Sequence, residues 1–489
     1  MKINSKLFYF FSLIYLSRHI IATRVLIQIH TLTRHGERSP CFTYPSDPYK
    51  HVWTKGLGQL TTKGLLQLKE VGAFLRHQYG EFLPETFHKK QFYIRSSDTD
   101  RTISSALAAL STLFDNEIIP VHTVPKSYDY LLKMTSVCPY HKKLLSNEFK
   151  SEKYKSFILK YSTFFQELAE GTGLQNVDIH MALRICDAVT VWSQLNLTLP
   201  VWLTENSVQK CLKLGNMKFI ISYSNNLLTK FRGGPLVSNI VDSMIKRANS
   251  YLEDNTGYKM IGFFTHDSTI SAFLGHLGSF NQLKPPLASV VIVELYYDSE
   301  SPIINGNQLS QFSIRMLFRN DTMKSPYELN VPLCRDSANS NPSDDHEDDA
   351  CRLDILYRNI QTHSLKDLPR ECGLSNIIDY WFASSDKIKL GHESLVISDG
   401  ESKSRISQSK HETDLYVNFL FPLLLVEIVV ELRDNPGGPG PANIESTFTQ
   451  KNDHKQIPNQ NEEKQTINIR DNNSFEYRQS SIVICLTII

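Results

Sequence analysis

Three times along this chain an apolar run of strand length stops at a turn rich in charged side chains, and helical periodicity follows. The first run, Val25, Leu26, Ile27, Ile29 and Leu32, is β-branched and nearly continuous, as befits a strand buried on both faces of a parallel sheet. It ends in Thr33-Arg34-His35-Gly36-Glu37-Arg38-Ser39-Pro40, where a glycine and a proline stop the strand. Leu65, Leu68, Val71, Phe74 and Leu75 then recur at helical spacing between Thr61 and Tyr79. The second run, Gln91-Phe92-Tyr93-Ile94, leads through Arg95 to Arg101 into a helix expected over Thr102 to Leu113, with Asp98 or Asp100 available to cap it. The third, Lys259 to Thr265, leads through His266-Asp267-Ser268-Thr269 into a helix over Ile270 to Leu277. This alternation predicts an α/β fold around a mostly parallel sheet. Ligands of such sheets bind outside the carboxyl ends of the strands, where helix N-termini present free N–H groups. Arg34, His35, Arg38, Arg101, His266 and Asp267 are therefore expected to share one crevice.

The residue types name the chemistry. Each arginine is permanently charged and carries five donors, so three of them at a sheet edge call for an anion with several oxygens, and phosphate fits best. Among those cations the charged form of His35 is disfavoured, which keeps the ring neutral and nucleophilic in mild acid. It can attack phosphorus to give a phosphohistidine that water later cleaves. The guanidinium groups and His266 would stabilise the phosphoryl oxygens. Asp267 would protonate the leaving alcohol, which asks for a carboxyl whose pKa is raised by burial or by the bound phosphate. Arg101 has a plainer alternative, pairing with Asp98 or Asp100 at the helix start. Arg95 reads as a salt-bridge residue behind the site.

Arg34-His35-Gly36-Glu37-Arg38-Ser39-Pro40 resembles the RHGxRxP signature of the histidine acid phosphatases, and His266-Asp267 resembles the later HD pair of that family. The likeness extends over roughly residues 24 to 375, through Gly58 to Thr61, Tyr93 to Ser96, Asp98 to Thr102, Ile119 to Pro125 and Glu294 to Tyr296. It implies a phosphoglycerate-mutase-like α/β domain over 24–130 and 250–375, interrupted by a smaller helical cap over 131–249. It also implies His35 as nucleophile, Asp267 as proton donor, and Arg34, Arg38, Arg101 and His266 as phosphate ligands, with no metal or organic cofactor. The substrate would be a small phosphomonoester or a phosphoprotein, and a homodimer is compatible with the family pattern. A phytase-like or lysophosphatidate phosphatase of the same fold, or a silent phosphate-binding homologue, are the alternatives. The same resemblance pairs Cys138 with Cys372 and Cys334 with Cys351, and finds Val191 and Val290 where a further family bridge would lie. Cys41, Cys186, Cys211 and Cys485 stay unassigned. Between Phe114 and Pro120 the chain is shorter than the family pattern by more than a dozen residues, roughly.

Composition excludes rather than identifies. Of the 489 residues, 52 are Lys or Arg and 51 Asp or Glu, so a formal charge of +1 offers no general attraction to nucleic acid. Lys2 and Lys6, the apolar run Leu7 to Leu16 and the small residues Ser17, Ala22 and Thr23 read as a secretory signal over 1–23; a buried amphipathic helix is the plainer alternative. With a signal, the destination is lysosomal or extracellular and the cysteines meet an oxidising compartment. Asn196-Leu197-Thr198 and Asn320-Asp321-Thr322 are glycosylation sequons. The tail, 376–489, reads as polar and disordered over Ser384 to Asp414 and Arg433 to Ser481. Between these stretches lies a candidate membrane anchor over 415–432, interrupted by Asn418, Pro422, Glu427 and Glu431.

Overall fold

The computed structural model describes residues 24–133, 137–335 and 351–374, together with the backbone of five strands in the tail. The expected signal over 1–23 and the polar stretch 384–414 lie outside the described residues. Strands β1 (Val25–Arg34), β2 (Phe92–Ser96) and β3 (Met260–Thr265) pair in parallel in the order β2-β3-β1. Beyond β1 the sheet becomes antiparallel through β4 (Val290–Tyr297) and β5 (Phe312–Arg319). Two short strands, β6 (Tyr327–Glu328) and β7 (Cys351–Arg352), both pair with β5. The parallel part is thus the part whose carboxyl ends carry the three charged turns.

Side chains of the central strands are buried on both faces. Ile29, Ile94, Phe264 and Ile292 pack with Leu68, Val71, Leu75, Ala109 and Leu110 of α1 (Thr62–Tyr79) and α2 (Asp100–Leu113). Ile27, Leu32, Phe263 and Val291 face the other way. They pack with α9 (Gly234–Glu253), α10 (Asp267–Leu277) and α11 (Leu353–His363). At about 25 cal/mol per Å2 of apolar area, each such Leu, Ile or Phe contributes about 1.5–3 kcal/mol, which is what holds the three layers together. The second junction departs from expectation in its cap. Thr99 precedes α2 and makes no capping bond, while Asp100 lies in the first turn, where its charge meets the positive end of the helix.

Helices α3 (Pro139–Glu148), α4 (Glu152–Leu159), α5 (Ser162–Thr172), α6 (Ile179–Gln194), α7 (Glu205–Tyr223) and α8 (Asn226–Arg232) precede α9 and complete the chain between β2 and β3. Helices α5 to α7 build a core of their own around Phe164, Leu168, Ile185, Trp192 and Leu214, joined by Tyr44. By contrast, α9 turns Leu236, Val237, Ile240, Val241 and Met244 onto the sheet, although its residues fall inside the 131–249 span read as cap. Cys138 bonds to Cys372 and Cys334 to Cys351, and a third bridge joins Cys186 on α6 to Cys211 on α7. The first closes 234 residues, worth about 5 kcal/mol by chain entropy. Cys41 is free and exposed.

The shortened stretch after Phe114 is closed by Asp115 and Asn116, both in the left-handed region at φ 43° and 63°, a conformation that Asp and Asn tolerate better than most residues. The chain then returns so that His122 pairs with Arg95 beside β2. Arg101 sits at the opposite end of α2, about 18 Å away at 1.5 Å per residue.

A separate unit, Ile388–Ile489, holds a sheet of β8 (Leu415–Phe421), β9 (Leu424–Asp434), β10 (Asn443–Gln450), β11 (Lys464–Asn468) and β12 (Ser480–Ile488) in the order β11-β10-β12-β9-β8. The segment read as a membrane anchor over 415–432 is therefore two antiparallel strands and not a helix. Pro422, which has no N–H to donate, falls between them, and Val426, Ile428, Val429 and Val430 favour extended backbone. Among the described residues no helix is long and apolar enough to cross a membrane. Parts of 433–481, read as disordered, likewise lie in β9 to β12; the rest lies outside the described residues.

Candidate active site

Strand register brings the three turns level. Arg34 stands beside Thr265 in the β1–β3 pairing, and Ser96 beside Phe264 in the β2–β3 pairing. The backbone continues the ladder into the turns: His35 N–H donates to Thr265 O at 3.1 Å, Ser97 N–H to Phe264 O at 3.0 Å and Ala288 N–H to His35 O at 3.1 Å. Consequently His35, Ser97 and His266 emerge from one edge, and the His35 and His266 rings lie 5.5 Å apart, edge to face.

The turn after β1 is locked onto the start of α1. The Glu37 carboxylate is buried, accepts from Thr61 Oγ1 at 3.0 Å and pairs with Lys63 Nζ at 2.9 Å, while its N–H donates to Gln67 at 2.8 Å. Gly36 and Gly64 let the two backbones touch. A Cβ on Gly64 would sit 2.0 Å from Glu37 O, and one on Gly36 would sit 2.4 Å from Gly64 O. His35 is nearly fully buried, and its Nδ1 lies 2.8 Å from Gly36 O. A carbonyl only accepts, so Nδ1 carries the proton and Nε2 keeps its lone pair. Burial first, then Arg34, His266 and Arg101, hold the His35 pKa well below the ordinary histidine value. The imidazole is neutral in mild acid, with the Nε2 lone pair free; burial is a larger cause than any single like charge the sequence suggested.

The arginines are held by their ends. Arg34 donates Nη1 to Pro285 O at 2.6 Å and Nη2 to Asp267 Oδ2 at 2.9 Å. Arg38 forms a two-pronged pair with Asp187 of α6, at 3.0 and 2.6 Å. Arg101 reaches His266 Nδ1 at 3.5 Å, and Asp100 takes its hydrogen bond from Gln59 instead. The Nε atoms of all three arginines are buried without a hydrogen-bond partner in the protein, an arrangement that suits an incoming oxyanion. Arg95, by contrast, is buried against Asp129 at 2.7 Å and takes no place in the crevice.

His266 caps the approach to α10. Its Nε2 meets Ser97 Oγ at 2.9 Å, and since Arg101 can only donate, Nδ1 is the accepting nitrogen of a neutral ring. Burial and then Lys133, Arg101 and Arg34 lower its pKa well below the ordinary value; Lys133 is itself pushed down to about 8, by burial first and then by Arg101. Asp267 opens α10, where the helix dipole favours an anion. Burial pushes its carboxyl up, but Arg34, Lys284, His35 and His266 together outweigh burial and hold it well below the usual carboxylate range. The free site therefore keeps Asp267 ionised; a raised pKa requires the phosphate to draw Arg34 away.

The structure thus brings Arg34, His35, Arg38, Arg101, His266 and Asp267 to one crevice. It adds Ser97, which lies within the second charged turn but was not singled out there, and Asp187, Lys133 and Lys284, none of which belongs to a recognisable sequence pattern. A cavity of about 1100 Å3 opens beside Arg34 and Arg38, bounded by α6, α7 and the Leu283–Leu287 loop. Among the described residues no cluster of His, Cys, Asp and Glu is arranged to hold a metal.

A profile of the histidine phosphatase superfamily (branch 2) matches residues 25–319. The lysosomal acid phosphatase of Xenopus laevis is 32% identical over 373 residues, covering 73% of this chain and 81% of that protein. The prostatic acid phosphatase of Homo sapiens is 34% identical over 348 residues, covering 68% and 86% respectively. Among solved structures, the apo form of Hafnia alvei phytase superposes with a TM-score of 0.53 at 16% identity, over 72% of this chain and 98% of that one; it speaks for the fold alone.

Proposed function

The chain belongs to branch 2 of the histidine phosphatase superfamily and is an acid phosphatase, a hydrolase of phosphate monoesters, and from that premise we propose that it works through a phosphohistidine at His35. The observation that carries this reading is the hydrogen bond from His35 Nδ1 to Gly36 O, which fixes the tautomer and leaves Nε2 bare among three arginines. Arg34, Arg38, Arg101 and His266 bind the phosphoryl oxygens. Nε2 attacks phosphorus, the ester P–O bond breaks, and the leaving oxygen takes a proton from Asp267. Water then attacks the phosphohistidine and returns a proton to Asp267, the P–N bond breaks, and inorganic phosphate leaves with His35 restored.

Because Asp267 is ionised in the free site, the proton it donates arrives with the substrate. Phosphomonoesters lose their second proton near pH 6, roughly, so acid conditions supply the monoanion that charges the site. Residues 24–130 and 250–375, with α9 packed on their sheet, serve as the catalytic body, and α5 to α7 with their own core as a cap over the crevice. We place the protein in the secretory pathway, lysosomal or extracellular, behind a signal over 1–23. Three disulfides and two sequons on exposed turns support that placement.

The test is hydrolysis of labelled phenyl phosphate by the full chain from about pH 4 to 8, with alkaline quench to preserve a phosphohistidine. Acid-favoured turnover, with label on the wild type and neither label nor turnover in His35→Ala, is the expected result. Undiminished turnover by His35→Ala would exclude the mechanism, and phosphate binding without turnover would point to a silent homologue.

A further inference from the structure

Lys284 stands in the crevice without a part in the reaction as described. It belongs to the loop between α10 and β4, next to Pro285, whose carbonyl takes a hydrogen bond from Arg34 at 2.6 Å. Two successive prolines restrict the backbone there. The Lys284 ammonium lies 3.5 Å from Asp267 Oδ2 with its side chain 37% exposed, and the residue lines the cavity beside Arg34 and Arg38. Phe219 of α7 flanks it at 5.9 Å. The charged groups facing it are Asp267, Arg34, Asp187 and Arg38. The ammonium thus sits on the carboxylate that must meet the leaving-group oxygen, in the wall of a cavity large enough for a leaving group.

Charge balance assigns it a task. When Asp267 carries the proton it will donate, Arg34, Arg38, Arg101, Lys133 and Lys284 face a single remaining carboxylate, Asp187. A phosphate dianion then leaves two positive charges over. On the leaving-group side the uncompensated cation is Lys284, because Asp187 is engaged by Arg38, the other two guanidinium groups flank the phosphoryl site and Lys133 lies beside His266. A half-exposed cation that loses its carboxylate partner during turnover is free to pair with a second anion.

We propose that Lys284 binds a second anionic group on the leaving-group side of the substrate, so that the preferred substrates are phosphomonoesters of acidic alcohols. The proposal rests on Asp267 being the proton donor, so binding and turnover are measured separately. Calorimetry compares methylphosphonate with phosphonoacetate, which adds a carboxylate, on the full-length wild type, Lys284→Gln and Lys284→Arg, at about pH 5. The wild type is expected to bind phosphonoacetate about tenfold more tightly, the value of one charge-assisted contact. Lys284→Gln should lose most of that preference and Lys284→Arg keep part of it. Equal binding of the two probes by the wild type, or equal weakening of both in Lys284→Gln, would overturn the assignment. Hydrolysis of phenyl and 3-carboxyphenyl phosphate by the same variants tests the parent reading. Failure of Asp267→Asn to slow turnover would exclude the donor while leaving the binding result to stand or fall by itself.

Discussion

The turns at the sheet edge and the helical insert share an ion pair in the crevice, Arg38 with Asp187, and they are built by different rules. At the sheet edge, backbone fixes the chemistry: ladder hydrogen bonds set the height of His35, Ser97 and His266, and two glycines let the His35 turn rest on α1. In the insert, side chains do the work. Its helices hold together through an apolar core and the Cys186–Cys211 bridge, and they offer the crevice a single carboxylate and one wall of the cavity. The edge can therefore keep the reaction constant while the insert varies what is admitted.

If that division holds, the largest effect must come from the edge. Asp267→Asn keeps the shape of the side chain but removes the transferable proton, and is expected to lower kcat on alkyl phosphates by about 100- to 10,000-fold. On aryl phosphates, whose leaving oxygen needs less protonation, the loss should be smaller. An equal loss on both would mean that Asp267 matters for holding Arg34 and not for proton transfer, and steady-state kinetics on the two substrate classes decides this.

Next in size is a change confined to the insert. Replacing Cys186 and Cys211 by serine opens a loop of 25 residues, worth about 3.5 kcal/mol by chain entropy. Hydrogen exchange should rise in α6 and α7 while β1 and β3 stay protected. Loss of protection across the sheet would show that the two regions unfold as one and would break the comparison.

Asp187→Ala tests the contact itself. It releases Arg38, and a misplaced phosphate ligand is expected to reduce kcat/KM by about 10- to 100-fold. Asp187 acts as a positioning residue, so phosphate inhibition should weaken in parallel and Asp187→Asn should recover part of both. A fall in thermal stability with unchanged phosphate affinity would reduce Asp187 to a fold contact.

The same division explains what could be read in advance. The three junctions were legible because in each a strand period, a charged turn and a helical period follow one another in order along the chain. Asp187 was not legible: it is one carboxylate on an amphipathic helix, 149 positions from its partner. Lys284 lies in a loop whose course depends on Arg34 holding Pro285, a contact spanning 251 residues. The allegiance of α9 was hidden for a similar reason, since its apolar stripe suits either core until the sheet is in place. Cys138 with Cys372 and Cys334 with Cys351 were paired through the family likeness, whereas Cys186 and Cys211, left unassigned, are brought together only by the packing of α6 on α7. The strands within the candidate anchor segment were hidden because an apolar run suits either a helix or a strand, and only the β-branched residues, such as Val426, Ile428, Val429 and Val430, lean towards extended backbone.

The smallest expected effect concerns the alkaline limb of the pH profile. With Asp267 held ionised by Arg34 and Lys284 against the upward push of burial, its own titration in the free enzyme lies below the ordinary carboxylate range. Loss of activity on raising the pH must then follow deprotonation of the substrate, whose second pKa is about 6. Aryl phosphates with more electron-withdrawing substituents have lower second pKa values, so the limb of kcat/KM should move down with them by a few tenths of a unit. The acid limb behaves differently, because it reports His35, whose pKa lies well below 6.5 through burial and the neighbouring Arg34. That limb should stay in place across the series. If the alkaline limb were also independent of the substrate, the titrating group would belong to the protein, and the proton used by Asp267 would have a source within the crevice and not in the incoming monoanion.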